Sequence, residues 1–147
     1  MAASAGNTVA GRGKTWPELL ALAFGAIYTL IGIIGFFITG FDNFFSHTGE
    51  TLLGFEINGM HNVVHILIGV AGLVLARTLA GARTYGWLLA VGYGAAFVYG
   101  LFAVGEDWDF LNINAADNVL HLATAVVGLV IALAPVRTAA GRTARTA

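Results

Sequence analysis

Two short motifs contain the side chains of this sequence that could bind a metal ion or move a proton. The first is NGMHNVVH, residues 58–65, and the second is NAADNVLH, residues 114–121. In each motif, imidazole or carboxylate groups stand four residues apart. Because side chains at this spacing share one face of an α-helix, each pair could direct two ligands at one ion. The candidate polar cluster consists of Asn58, His61, Asn62, His65, Asn114, Asp117, Asn118 and His121.

Metal binding is one function that these residue types support. The predicted ligands are His61, His65, Asp117 and His121, because three imidazoles and a carboxylate suit tetrahedral Zn²⁺, and imidazoles also suit copper or iron. The asparagines would then orient the imidazole rings. In a second version, His65 and His121 are the two axial ligands of a haem. In a third version, the ionisable groups pass protons inward from the outer face, since histidine titrates near neutral pH.

A structural interpretation of the same residues requires no ligand. Asn58 and Asn114 are predicted N-caps, each accepting a hydrogen bond from the first turn of a helix. Asp117 favours the positive end of the helix dipole. The remaining cluster residues would form hydrogen bonds between helices, each worth roughly 1 kcal/mol in a membrane protein. We expect a non-enzymatic membrane component with a structural cluster, and metal or haem binding is the alternative.

The composition predicts an integral membrane protein. Hydrophobic residues make up 58% of the chain and charged residues only 10%, and the mean hydropathy is +0.81. A membrane helix needs roughly 20 apolar residues. Four such windows predict an all-α, four-helix transmembrane bundle over residues 18–136, between tails 1–17 and 137–147. The helices are expected at about 19–39, 60–79, 85–104 and 116–136, with the first retained rather than cleaved as a signal peptide.

Charge is distributed unequally among the predicted loops and tails. All basic residues lie in the two tails or between the second and third windows, and the other two loops carry six acidic residues and no Lys or Arg. By the positive-inside rule, we expect a multi-pass protein of the plasma membrane with both termini cytoplasmic. The expected partners are the lipid bilayer and a second copy or another membrane protein, and no nucleic acid. The basic residues are Arg12, Lys14, Arg77, Arg83, Arg137, Arg142 and Arg145.

The two motifs recur at a constant offset, as residues 57–77 align with residues 113–133. Each half of the chain would be a helix, an outer loop and a second helix. Because the halves share one orientation, we predict two parallel two-helix repeats around an axis normal to the membrane. The second and fourth helices would be equivalent, with their polar motifs facing each other near the outer surface.

Other patterns exclude several function classes. The chain has no cysteine, which excludes disulfides and thiolate sites. It also lacks a glycine-rich phosphate loop, a basic groove and a nucleophile-plus-base signature, so an enzymatic activity is not expected.

The segments NGMHNVVHILIGVAGL and NAADNVLHLATAVVGL resemble a bacterial family of small four-helix membrane proteins known as a domain of unknown function. The resemblance extends from about Glu18 to Val136. Gly69 belongs to the first motif, whereas Ala125 departs from the pattern where a glycine would mirror it. The resemblance implies a multi-pass membrane protein, with no activity, cofactor or partner attached.

Overall fold

The computed structural model describes residues 13–42 and 44–136, and this part of the chain is all-α apart from one small hairpin. The all-α fold class is confirmed. The predicted tails lie almost entirely outside the described residues, and the division into tails and one helical domain stays a prediction. The elements are α1 (Trp16–Thr39), β1 (Thr51–Leu52), β2 (Phe55–Glu56), α2 (Gly59–Leu75), α3 (Leu79–Ala103) and α4 (Ala115–Leu133).

Three of the four helices are long and apolar enough to cross a membrane. These are α1, α3 and α4, whereas α2 has 17 residues and is shorter. Large apolar side chains on the outside of the bundle are exposed, as at Phe37, where 87% of the surface is accessible. Exposed apolar surface of this extent is typical of helices that face lipid. The protein is therefore a membrane protein.

The connection between α2 and α3 differs from the sequence prediction. The loop was expected at about residues 80–84, but the structure has only residues 76–78 between the two helices. Thr78 caps α3 by accepting a hydrogen bond from the backbone N–H of Gly81 at 3.0 Å, so the helix begins earlier than its apolar window. At the end of α2, the Lys14 ammonium donates to the Ala76 carbonyl at 2.9 Å. A cation there also complements the helix dipole.

The helices pack most closely as two pairs, α1 with α2 and α3 with α4. Glycines allow the backbones to approach. A Cβ atom on Gly25 would lie 2.6 Å from the backbone nitrogen of Leu73, and one on Gly86 would lie 2.7 Å from that of Ala132. Close approach of this kind supplies the van der Waals contact that joins helices in a bilayer. Each pair is thus a tightly packed antiparallel hairpin of helices.

Between the two pairs, the core contains the buried tyrosines of α1 and α3. Tyr28 and Tyr93 stack with ring centroids 5.3 Å apart. Tyr85 and Leu89 are fully buried one to two turns nearer the start of α3. These aromatic contacts bring α1 close to α3.

A β-hairpin covers the end of the bundle at which α2 and α4 begin, which the sequence predicts to be the outer end. Its two strands pair antiparallel, with Thr51 opposite Glu56 and Leu52 opposite Phe55. The turn residues Leu53 and Gly54 have positive φ values of 57° and 89°, as a two-residue type I′ turn requires. Strand β1 contacts α1, and strand β2 contacts α4. The hairpin therefore joins the first helix pair to the second.

Candidate functional site

Each polar motif begins with an asparagine N-cap, as the sequence predicts. The side-chain oxygen of Asn58 accepts a hydrogen bond from the backbone N–H of His61 at 2.9 Å. The equivalent oxygen of Asn114 accepts from the N–H of Asp117 at 3.0 Å. Asp117 returns a bond by accepting the N–H of Asn114 at 3.0 Å, which completes a capping box. His61 has no carboxylate with which to do the same.

The same two asparagines also connect the two halves of the chain. The side-chain NH₂ of Asn58 donates to the Phe110 carbonyl at 2.9 Å, and that of Asn114 donates to the Gly54 carbonyl at 3.0 Å. Residues 54 and 110 are separated by the same 56 positions as residues 58 and 114. Each cap thus binds the outer loop of the opposite half. We call this pair of interactions the reciprocal bonds.

His61 and Asp117 also contact the outer segments. The Nδ1 atom of His61 lies 3.2 Å from the Leu111 carbonyl. Because a carbonyl only accepts, Nδ1 carries the proton, and Nε2 keeps its lone pair. The Oδ2 atom of Asp117 accepts the backbone N–H of Glu56 at 3.1 Å, in addition to that of Asn114. Both side chains are buried, with 4% and 2% of their surface accessible.

Asn62 and Asn118 each fill the space beside a glycine of the paired helix. The amide oxygen of Asn62 lies against Gly35, and that of Asn118 lies against Gly100, so a Cβ atom at either glycine would collide with it. Neither amide oxygen has a conventional hydrogen-bond partner among the described residues. Contact with a glycine Cα–H is a weak hydrogen bond that recurs at helix interfaces.

The histidines form a closed ring of five aromatic side chains with the two core tyrosines. Successive ring centroids are 4.6 Å apart from His61 to His65, 5.3 Å from His65 to Tyr28, 5.3 Å from Tyr28 to Tyr93, 5.5 Å from Tyr93 to His121 and 6.3 Å from His121 back to His61. His65 therefore contacts the tyrosine of α1, and His121 contacts the tyrosine of α3. The Nδ1 atoms of His65 and His121 are buried without a hydrogen-bond partner among the described residues.

Three of the four predicted metal ligands come together. One potential ligand atom from each of His61, Asp117 and His121 lies within 4.8 Å of the other two, and all three residues are buried. His65 lies outside this set and stacks beside His61 and Tyr28. The polar motifs of α2 and α4 thus meet under the outer loops.

Two small cavities flank these three residues. One, of about 100 Å³, lies between α2 and α3 and is lined by His61 and His121 together with Gly92 and Ala96. The other, of about 40 Å³, lies under the hairpin and is lined by Asp117 and His121. Pockets for drug-sized ligands begin near roughly 300 Å³. The cavities therefore suit an ion or a few waters better than a haem.

Several residues that organise the site were not singled out from the sequence. Buried Asp109 accepts hydrogen bonds from the hydroxyl of Tyr99 at 2.9 Å and from the backbone N–H groups of Leu111 at 3.1 Å and Ile113 at 2.8 Å. These bonds fix the loop that presents carbonyl groups to the first motif. The 57–77 repeat gave no signal for Asp109, because its counterpart 56 residues earlier, position 53, is a leucine.

The core tyrosines had a signal in the sequence. Tyr28 and Tyr93, and likewise Gly35 and Gly100, are 65 residues apart. This second offset relates α1 to α3, as the offset of 56 relates α2 to α4. A search for internal similarity in the first and third windows would have found the tyrosines.

Comparison with known proteins gives a family but no activity. A family model described as Domain of unknown function (DUF4383) matches residues 18–134. No curated protein matches the chain, and no solved structure matches it.

Proposed function

This chain belongs to that family, whose activity is unknown, and we propose from its own residues that it is a non-enzymatic membrane component. In this proposal the chain crosses the plasma membrane four times as two parallel two-helix repeats. The polar cluster joins the repeats under their outer loops. The observation that carries the proposal is the pair of reciprocal bonds.

Two kinds of contact recur in both halves and support the proposed repeat. Besides the reciprocal bonds, the contact of Asn62 with Gly35 corresponds to that of Asn118 with Gly100. The contact of Asn62 with Gly35 lies within the first helix pair, and its equivalent lies within the second, at offsets of 56 positions for the asparagines and 65 for the glycines. Such equivalence is expected of two copies of one unit related by a rotation.

The way α2 is connected supports four crossings. Only three residues join α2 to α3, and α2 packs along α1. At 1.5 Å per residue, its 17 residues span about 26 Å, close to the roughly 30 Å hydrocarbon core. The distribution of charge favours cytoplasmic termini. Lipid is the proposed partner of the exposed apolar faces.

Replacing the two capping asparagines by serine tests the bonds between the halves without removing the helix caps. Asn58→Ser and Asn114→Ser keep an oxygen that can cap the helix but remove the amide that donates to the opposite loop. We expect each to lower the free energy of unfolding in detergent by about 0.5–3 kcal/mol. Asn58→Ser should cost more, because Asn58 is fully buried whereas the bond of Asn114 is exposed.

Thr78→Ser is the matched control, because Thr78 caps only its own helix and is exposed. We expect a change within about 0.5 kcal/mol. Asparagine variants that unfold like this control would remove the basis of the proposal.

Transition-metal or haem binding by His61, His65, Asp117 and His121 is a second candidate. One observation favours it: three of these residues bring ligand atoms within 4.8 Å of one another. Elemental analysis and an absorption spectrum of gently solubilised protein test it, beside a His65→Ala/His121→Ala double variant. Metal or haem in the wild type alone would support this candidate, and equal contents would reject it.

A further inference from the structure

We propose that His61, Asp117 and His121 form a three-donor site for a divalent transition-metal ion, best matched by Zn²⁺, with an open coordination position beside the cavities. This inference rests on the second candidate function, metal binding, and narrows it to a donor set. It does not depend on the reciprocal bonds.

The hydrogen bonds around the cluster leave suitable donor atoms unoccupied. His61 uses Nδ1–H for the Leu111 carbonyl, which leaves Nε2 to bind the ion. The Oδ2 atom of Asp117 accepts two backbone N–H groups, which leaves Oδ1. The Nδ1 atom of His121 is buried with no hydrogen-bond partner among the described residues. An unpartnered buried nitrogen is costly, and a metal ion would satisfy it.

The two equivalent motifs differ at the position that matters for this site. The third helical residue is His61 in one motif and Asp117 in the other. Asp117 completes a capping box, whereas His61 accepts nothing from the N–H of its own cap. Helix capping alone would favour a carboxylate in both places. His61 provides one nitrogen donor and Asp117 one oxygen donor, and His121 adds a second nitrogen.

The donor set favours zinc over the hard cations. Two imidazoles with one carboxylate match the composition of catalytic zinc sites, which keep a fourth position for water or substrate. Calcium and magnesium instead need about six or more oxygen ligands. Leu111 and Glu56 bind His61 and Asp117 from outside and would fix their orientation.

The fourth coordination position of the ion would open into the two cavities. His121 lines both cavities, His61 lines one and Asp117 the other. His65 also lines both cavities, but it lies outside the set of mutually close ligand atoms. A water molecule or a small anion therefore completes the coordination.

Metal uptake by the full-length protein in detergent micelles tests the donor set. Zn²⁺ binding is measured by calorimetry, and Co²⁺ serves as a spectroscopic probe of tetrahedral coordination. We expect one ion per chain. Asp117→Asn and His121→Gln should each weaken binding by more than about 100-fold, beyond the loss typical of outer-shell changes. Asp117→Asn keeps an oxygen acceptor for the two backbone N–H groups, so the fold is preserved.

His47→Gln is the matched control, because His47 is exposed in the outer loop and should bind nothing. His65→Gln should also keep one ion per chain. Adding azide to the Co²⁺ form should change its visible spectrum if the fourth position is open.

The proposal is overturned if the wild type takes up no metal, or if Asp117→Asn and His121→Gln bind it as tightly as the wild type. It is also overturned if folded His65→Gln or His47→Gln loses metal uptake. A Co²⁺ spectrum that azide leaves unchanged would rule out the open position. Asn58→Ser separates this inference from the structural proposal. If Zn²⁺ does not bind but Asn58→Ser still destabilises the protein, the connection between halves stands and the metal site falls.

Discussion

At the scale of single residues, one asparagine performs two tasks in each motif. The oxygen of Asn58 caps α2, while its NH₂ group binds the loop before α4. Serine, threonine and aspartate can also cap a helix, but a hydroxyl would have to donate from the capping oxygen itself, and a carboxylate does not donate. The amide therefore explains why asparagine is found at both caps.

Asp109 gives the sharpest prediction at this scale. It is buried and accepts three hydrogen bonds, so Asp109→Ala leaves one hydroxyl and two backbone N–H groups without their acceptor. We expect a loss of about 2–5 kcal/mol in the free energy of unfolding, measured by denaturant unfolding in detergent. Asp107→Ala is the control, because Asp107 is an exposed neighbour in the same loop. Equal effects of the two variants would contradict the role of Asp109.

At the scale of elements, the glycines of α1 and α3 differ in what surrounds them. Gly35 and Gly100 face the asparagine amides of α2 and α4, whereas a Cβ atom on Gly92 would meet no atom within 4 Å among the described residues outside its own helical turn. A helical glycine with open space beside it loses more backbone entropy on folding than alanine would, so replacing it by alanine stabilises the folded state. Sequence alone does not separate these two classes, because both occur in apolar helices.

Alanine substitutions at these glycines test the packing of each helix pair. Gly35→Ala and Gly100→Ala should each destabilise the protein by about 1–3 kcal/mol, because the new methyl group displaces an asparagine amide. Gly92→Ala should be neutral or stabilising by up to about 1 kcal/mol. Thermal unfolding in one detergent compares the three variants. A destabilising Gly92→Ala with harmless Gly35→Ala would contradict the described interface.

The helices themselves could be predicted from hydropathy, because a membrane span requires a long apolar window. Their ends at the α2–α3 connection could not, since Thr78, which caps α3, lies inside the second predicted apolar window of about residues 60–79. The polar face of α2 was predicted by its helical spacing, and its residues are buried as expected. The role of Asp109 could not be predicted, because it depends on the conformation of an irregular loop, which leaves no periodic pattern in the sequence.

At the scale of the whole molecule, the cluster lies where the two helix pairs and both outer segments meet. The repeat in sequence indicated that the motifs would face each other, and His61 and His121 do approach, with ring centroids 6.3 Å apart. The recurrence could not indicate which ligand atoms converge. That depends on the Leu111 and Glu56 contacts, which come from outside the motifs.

The proposed four crossings predict opposite exposure of the two ends of α2. Because the chain has no cysteine, single-cysteine variants can be labelled cleanly. Ser46→Cys and Ala80→Cys are small changes at exposed positions on either side of α2. In spheroplasts, a membrane-impermeant maleimide should label Ser46→Cys at once and Ala80→Cys only after permeabilisation. Equal labelling of both in sealed cells would contradict a spanning α2.

The most direct test of the central claim is the unfolding free energy of the Asn58→Ser/Asn114→Ser double variant in detergent. Both helices keep a capping oxygen, and the hydrogen bonds that are lost are the reciprocal bonds and a longer bond of 3.4 Å from Asn58 to the Ser46 carbonyl. We predict a loss close to the sum of the two single variants, about 1–6 kcal/mol, since the bonds involve different partners. A double variant that unfolds within about 0.5 kcal/mol of Thr78→Ser would show that the cluster does not join the two halves.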